Sequence, residues 1–180
     1  GEDFGEGAGF IAARNITSDK ETGIGNWTDG EIFRAITMGV DKNGNALAPM
    51  MPYLYYRNID AGDIEAVIAY IRTLPPIKNQ VPEKKIKFPL SLIFRTLPSK
   101  PDFKKLPDPE NKIATGEYYS GNCMGCHSPM EKGEFIQDKL FSGGREFPNP
   151  KGGIIRTANI TPDRETGIGN WTKDQFIQKF

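Results

Sequence analysis

Cys123-Met124-Gly125-Cys126-His127 puts two thiols and an imidazole within five residues, and they are the only cysteines and the only histidine in the chain. Three chemistries use such a set. A structural zinc site needs four ligands, usually cysteine or histidine, and only three such side chains exist here. A dithiol redox pair belongs in a βαβ context, and no alternation of strand and helix patterns appears. Cys-x-x-Cys-His is the attachment signature of haem c. Two thiols add across the two vinyl groups of one haem, and two intervening residues let one short turn reach both. The next side chain then points at the iron. The spacing predicts thioether attachment at Cys123 and Cys126, with His127 as the proximal iron ligand.

The opposite face of that iron is either closed by a sixth ligand or left open. Met/His ligation raises the potential and suits electron transfer, whereas an open face suits catalysis. Of five methionines, Met124 lies inside the attachment turn, Met130 comes too soon after the histidine, and Met38 reads as helix core. Met50 and Met51 lie in Pro49-Met50-Met51-Pro52-Tyr53, where prolines stiffen a loop that could hold a thioether at a fixed point. A lone methionine more often fills a gap in a core; the attachment motif favours ligation here.

The elements that must position these groups are framed by a repeat. Asn15–Thr28 reads NITSDKETGIGNWT and Asn159–Thr172 reads NITPDRETGIGNWT, identical at 12 of 14 positions with an offset of 144. Thr28-Asp29-Gly30-Glu31 and Thr172-Lys173-Asp174-Gln175 are both capping boxes, opening the apolar runs Ile32/Phe33/Ile36 and Phe176/Ile177/Phe180. Asp60 can cap a helix that carries Ile64, Val67, Ile68 and Ile71 on one face and stops at Pro75-Pro76. Pro109–Asn122 reads as a helix running into the cysteines. The stretch after the first copy has no counterpart after the second, and the stretch before the second, Cys123 included, has none before the first. The reading is the rear of one domain joined to the front of the next: residues 1–78 the C-terminal part of a first domain, 79–108 an extended linker, 109–180 the N-terminal part of a second. The chain is expected to be truncated at both ends.

Composition narrows the function classes. Lys+Arg and Asp+Glu both number 23, so no basic excess marks a nucleic-acid partner. No run approaches the ~18 apolar residues of a transmembrane span. The start at Gly1-Glu2-Asp3-Phe4 lacks the basic and apolar regions of a signal peptide. With 20 Gly and 14 Pro but also 11 Phe, 6 Tyr and 2 Trp, the chain reads as loop-rich and folded around a large cofactor rather than disordered. Lys78–Lys105 carries eight basic and two acidic residues. Its Phe88, Leu90, Leu92, Ile93, Phe94 and Leu97 should cross a domain surface, and its charge reads as a solvated strap rather than a docking patch.

These residues resemble a family: the multi-domain class I cytochromes c, close to the dihaem or trihaem subunits of periplasmic quinoprotein alcohol and aldehyde dehydrogenases. The similar elements are Gly116-Glu117-Tyr118 leading into CMGCHSP, Phe141-Ser142-Gly143-Gly144, both copies of NIT-x-D-x-ETGIG-x-WT, Met51-Pro52-Tyr53, and Ala69-Tyr70-Ile71-Arg72-Thr73-Leu74-Pro75-Pro76. The resemblance implies an all-α, loop-rich fold of tandem small cytochrome c domains, each wrapped around a covalently bound haem. It assigns Met51, not Met50, as a distal ligand, and gives it to the haem of the preceding domain rather than to that of His127. Trp27 and Trp171 fall in a loop beside the haem edge, where an indole N–H could donate to a propionate or simply pack. One haem c is expected on this chain and a second in the full-length protein. The resemblance further implies periplasmic one-electron relay between a dehydrogenase and a quinone or terminal oxidase, without substrate chemistry of its own. Membrane association would come only through segments outside this chain. The alternative is a dihaem enzyme of the thiosulfate dehydrogenase or peroxidase type, which needs an open or labile sixth position; His127 is already spent and no third thiol exists.

Overall fold

The computed structural model describes residues 2–3, 9–131, 134–149 and 152–179. It is mostly helical with few small strands, 35% helix and 10% strand. The strands depart from an all-α expectation, although none among the described residues exceeds three residues. Two compact units divide the chain, Gly1–Asn111 and Lys112–Phe180.

The first unit is built on three helices, α1 (Asp29–Met38), α2 (Tyr53–Tyr56) and α3 (Ala61–Thr73). Both expected caps form. Thr28 accepts from the Glu31 amide while the Glu31 carboxylate accepts from Thr28 N, and Asp60 accepts from Gly62 N. Ile32 and Ile36 of α1 meet Ile64 and Ile68 of α3, and Ile24 from the first repeat closes the cluster. On the expected α3 face Val67 is the exception, 46% exposed. Arg72 fastens the repeat to α3, pairing with Asp29 at 2.8 Å and donating to the carbonyls of Ile24 and Trp27.

The stretch 79–108, expected to be extended, carries the strand β3 (Lys85–Ile86) and the helix α4 (Leu90–Thr96). β3 is the third strand of an antiparallel sheet with β1 (Glu2–Asp3) and β2 (Gly9–Ile11), in the order β1-β2-β3. Pro89 sits at the α4 cap position, with the fixed φ of proline already suited to a helix entry. Beyond α4 the chain is tied to the α2–α3 connection. Asp102 N donates to Arg57 O at 2.9 Å, Leu106 N to Asp60 Oδ2 at 3.0 Å, and Phe103 meets Phe33 edge-on at 5.6 Å. A run of prolines does not predict such long-range hydrogen bonds, which depend on where Arg57 and Asp60 come to lie.

The second unit opens with α5 (Lys112–His127). The helix starts later than Pro109, because Asp108 holds a turn through Glu110 N and Asn111 N, and it runs on through both cysteines. After it come two hairpins, β4 (Met130–Glu131) with β5 (Glu134–Phe135), and β6 (Glu146–Pro148) with β7 (Ile154–Arg156). The unit ends in α6 (Lys173–Ile177), whose capping box between Thr172 and Gln175 forms as expected; Phe180 lies outside the described residues.

The repeat is structural as well as sequential. Asn15 and Asn159 each donate to a threonine seven residues on, Thr22 at 3.0 Å and Thr166 at 2.9 Å. Each also accepts from the amide two residues on, Thr17 N at 3.0 Å and Thr161 N at 2.9 Å. Asp19 accepts from Thr22 N and Asp163 from Thr166 N. The glycine spacing is steric: a Cβ at Gly25 would lie 2.2 Å from Ser18 O, and one at Gly169 would lie 2.1 Å from Pro162 O. Each copy is also preceded by a short antiparallel hairpin, β1–β2 or β6–β7.

Candidate haem-attachment site

Cys123, Cys126 and His127 occupy the last turns of α5 at i, i+3 and i+4. Residues at these spacings share one helix face, so a continuous helix directs both thiols and the imidazole the same way. Both cysteines are free, Cys123 half-buried and Cys126 exposed. Met124 O accepts from Ser128 N at 3.1 Å, closing the final turn, and Pro129 stops further helix.

The residues after the helix fix the imidazole. His127 Nδ1 lies 2.8 Å from the Ala158 carbonyl oxygen. A carbonyl only accepts, so Nδ1 carries the proton and the Nε2 lone pair is left for a metal. His127 O in turn accepts from Gly143 N at 2.7 Å. The buried Ser128 hydroxyl accepts from Phe141 N at 2.9 Å, and Phe141 adopts a left-handed φ of 63°. Gly143, at φ 75°, has no room for a side chain: a Cβ there would lie 2.5 Å from the carbonyl carbon and oxygen of Ala158. Arg145 completes the frame. Its amide donates to Thr157 Oγ1 at 3.1 Å, its carbonyl accepts from Thr157 N at 3.0 Å, and its guanidinium donates to Gly125 O inside the attachment turn.

Donor chemistry and tautomer fit haem c: two thiols and an Nε2-directed imidazole on one face, with too few ligands for zinc. The same unit also leaves large apolar side chains uncovered. Ile113, Tyr119, Ile155, Trp171 and Phe176 are 85%, 58%, 49%, 43% and 43% exposed.

Of the other expected residues, Met50, Met51 and Trp27 lie in the first unit and Trp171 in the second. Met51 and Trp27 are half-buried and pack on the Ile24/Ile32/Ile36/Ile64/Ile68 cluster, whereas Met50 is 51% exposed. Met51 N donates to Ala48 O at 3.1 Å and Tyr53 N to Met51 O at 2.8 Å, so the methionine sits in a pinned turn. Tyr53, fully buried, has its hydroxyl pKa pushed upward by burial. Trp171 is the more open of the two tryptophans. Sequence reasoning missed Ala158, Ser128 and Arg145. Only the Gly143-Gly144 pair hinted that the chain turns back there, and a backbone carbonyl leaves no trace in residue type.

No family model matches the chain. It is 32% identical, over 93% of its own length and 39% of the relative's, to the cytochrome c subunit of alcohol dehydrogenase (quinone) from Gluconacetobacter polyoxogenes. It is 30% identical, over 94% of itself and 42% of the relative, to the gluconate 2-dehydrogenase cytochrome c subunit of Pantoea cypripedii. A diheme cytochrome c-type protein of Cereibacter sphaeroides is 30% identical over 86% of the chain and 54% of that protein. The chain thus spans about two fifths of the first two relatives, 39% and 42%. Across nearly all of its own length, the chain is a homologue of the cytochrome c subunits of bacterial dehydrogenases.

Proposed function

We propose that the chain relays single electrons in the periplasm, from a dehydrogenase toward a quinone or terminal oxidase, and transforms no substrate itself. Haem c bound to Cys123 and Cys126 supplies the one-electron couple. His127 holds the iron through Nε2, and the Ala158 carbonyl keeps the ring in the right tautomer and raises its basicity. That hydrogen bond, on an imidazole sharing a helix face with two free thiols, is the observation that carries the reading. The cytochrome c subunits among the relatives support a dehydrogenase as the partner.

Met51 is assigned as distal ligand of a second haem, held by a preceding domain. Two features support the separation. Met51 packs on a core built by the first copy of the repeat, while His127 belongs to the unit of the second copy. Each copy also opens its own capped helix, and one small domain has room for one.

Replacing Cys126 by serine in the holoprotein tests the attachment. One thioether should remain, and the reduced α-band should move toward that of a singly attached haem. An unchanged band with unchanged haem staining on a denaturing gel would sink the assignment. Met51→Ala tests the division of ligands: the spectrum of the haem on Cys123 and Cys126 should not change. Loss of its Met/His charge-transfer band would put both ligands on one iron.

A further inference from the structure

The hairpins that precede the two copies of the repeat differ at one edge. In the first, β2 is paired on both sides, with β1 and with β3, in the register Gly9↔Ile86 and Phe10↔Lys85. In the second, β7 pairs with β6 alone among the described residues. All three residues of β2 are half-buried, whereas all three of β7 are exposed, Ile154 at 60%. Arg145 O accepts from Thr157 N and Gly153 O accepts from Asn149 N, so residues 153, 155 and 157 bond inward, toward β6. Antiparallel pairing alternates, and the N–H and C=O of Ile154 and Arg156 therefore point away from β6. A glycine sits at the same place on both outer edges. Gly9 and Gly153 stand 144 residues apart, the offset of the repeat, and both take a positive φ, 106° and 85°. A Cβ at Gly9 would lie 1.9 Å from Lys85 O, because β3 runs against it, while a Cβ at Gly153 would meet nothing within 4 Å. Both copies leave the backbone bare at this point, and among the described residues only the first has a strand laid on it.

We propose that the outer edge of β7 receives a third strand, and that this strand is an extended segment of the same polypeptide beyond Phe180. An outer strand with free N–H and C=O groups is a template for pairing, and strand addition takes its affinity from the main chain. β3 follows the helices of the unit whose sheet it completes. A segment in the same relation to β7 falls about 50 residues past Phe180, as the offset of the repeat requires. Relatives of which the chain spans only 39% and 42% have length enough to carry it. The chemistry of the segment follows from β3. It is extended, offers N–H and C=O to Ile154 and Arg156, passes over Gly153 with its backbone, and carries no proline where it pairs, since proline has no donor for the ladder.

Amide hydrogen exchange reads this edge without any haem property, so the proposal stands or falls apart from the ligand assignments. In the 180-residue holoprotein the amides of Ile154 and Arg156 should exchange freely. A synthetic peptide with the sequence of Val81–Phe88 serves as the third strand. At ten times its dissociation constant it should slow both amides about tenfold, and leave Ile155, already bonded to β6, unchanged. The same peptide with proline in place of Lys85 and Ile86 should have no effect. Gly153→Asn puts a side chain where the added backbone must pass, of a type that tolerates positive φ. It should abolish the effect of the peptide while circular dichroism shows the fold retained; if that variant unfolds, the proline peptide decides. In the full-length holoprotein both amides should be protected with no peptide added, equally at all protein concentrations. Four results would each overturn the proposal. They are free exchange in the presence of the native peptide, equal action of the proline peptide, a folded Gly153→Asn variant that responds like the parent, and exchange as free in the full-length protein as in the 180-residue chain. Protection that grows with protein concentration would make a second copy the occupant and overturn it as well.

Discussion

The imidazole of His127 is oriented from outside its own helix, by a carbonyl 31 residues further along the chain. An N–H held by a carbonyl gives the ring more imidazolate character, which favours ferric iron and lowers the potential. Gly143 guards this bond, because any Cβ there collides with Ala158. Gly143→Ala should therefore raise the midpoint potential of the haem, read by spectroelectrochemistry. It should also cost roughly 1–3 kcal/mol in thermal unfolding, from the collision and the left-handed φ together. A potential unmoved in a correctly loaded variant would show that the Ala158 bond does not tune the iron.

At the scale of elements, the repeated loop is held by its carboxylates. The Asp19 pKa is lowered mainly by the backbone hydrogen bond from Thr22, then by the Thr22 hydroxyl; the Asp163 pKa is lowered in the same way through Thr166. Each aspartate has a folded pKa below its unfolded value. Each therefore contributes stability that is present above the unfolded value near 4 and lost as pH falls through the folded one. Asp19→Asn should lower the unfolding midpoint at neutral pH and flatten its decline on acidification, as tracked in a thermal melt at stepped pH. A slope identical to the parent's would exclude Asp19 as the titrating group. The loop also tolerates no larger residue at Gly25, where Ser18 O is 2.2 Å from a would-be Cβ.

At the scale of the molecule, the same motif meets two fates. Ile32, in the first turn of the first capped helix, is 3% exposed, whereas Phe176, its counterpart in the second copy, is 43% exposed. The difference comes from α3, whose Ile64 and Ile68 cover α1, while no described element of the second unit does the same for α6. Ile64 is 1% exposed, so Ile64→Ala should destabilise the first unit by about 2–5 kcal/mol. Because the chain divides into two compact units, the Soret circular dichroism of the haem proposed for α5 should be unaffected. Coupled loss of both signals would make the two units one cooperative body.

Local patterns were legible wherever a few neighbouring residues carry the whole signal. The two capping boxes, the Asp60 cap and the repeat all depend on contacts within a turn or a tight loop, and residue type at fixed spacing specifies such contacts. Even the glycine pair of each repeat is explained by a clash a few residues away. Long-range partners were not legible. The Ala158 carbonyl, the hydrogen bond from Arg145 to Gly125 O and the anchoring of 99–106 on Arg57 and Asp60 are made by groups 20 to 46 residues apart. Most of them use backbone atoms that every residue possesses. The helix inside the supposed linker escaped for a related reason. Four prolines advertised an extended strap, and only its pinning on the first unit decided that Leu90–Thr96 coils and turns Leu92 and Ile93 outward.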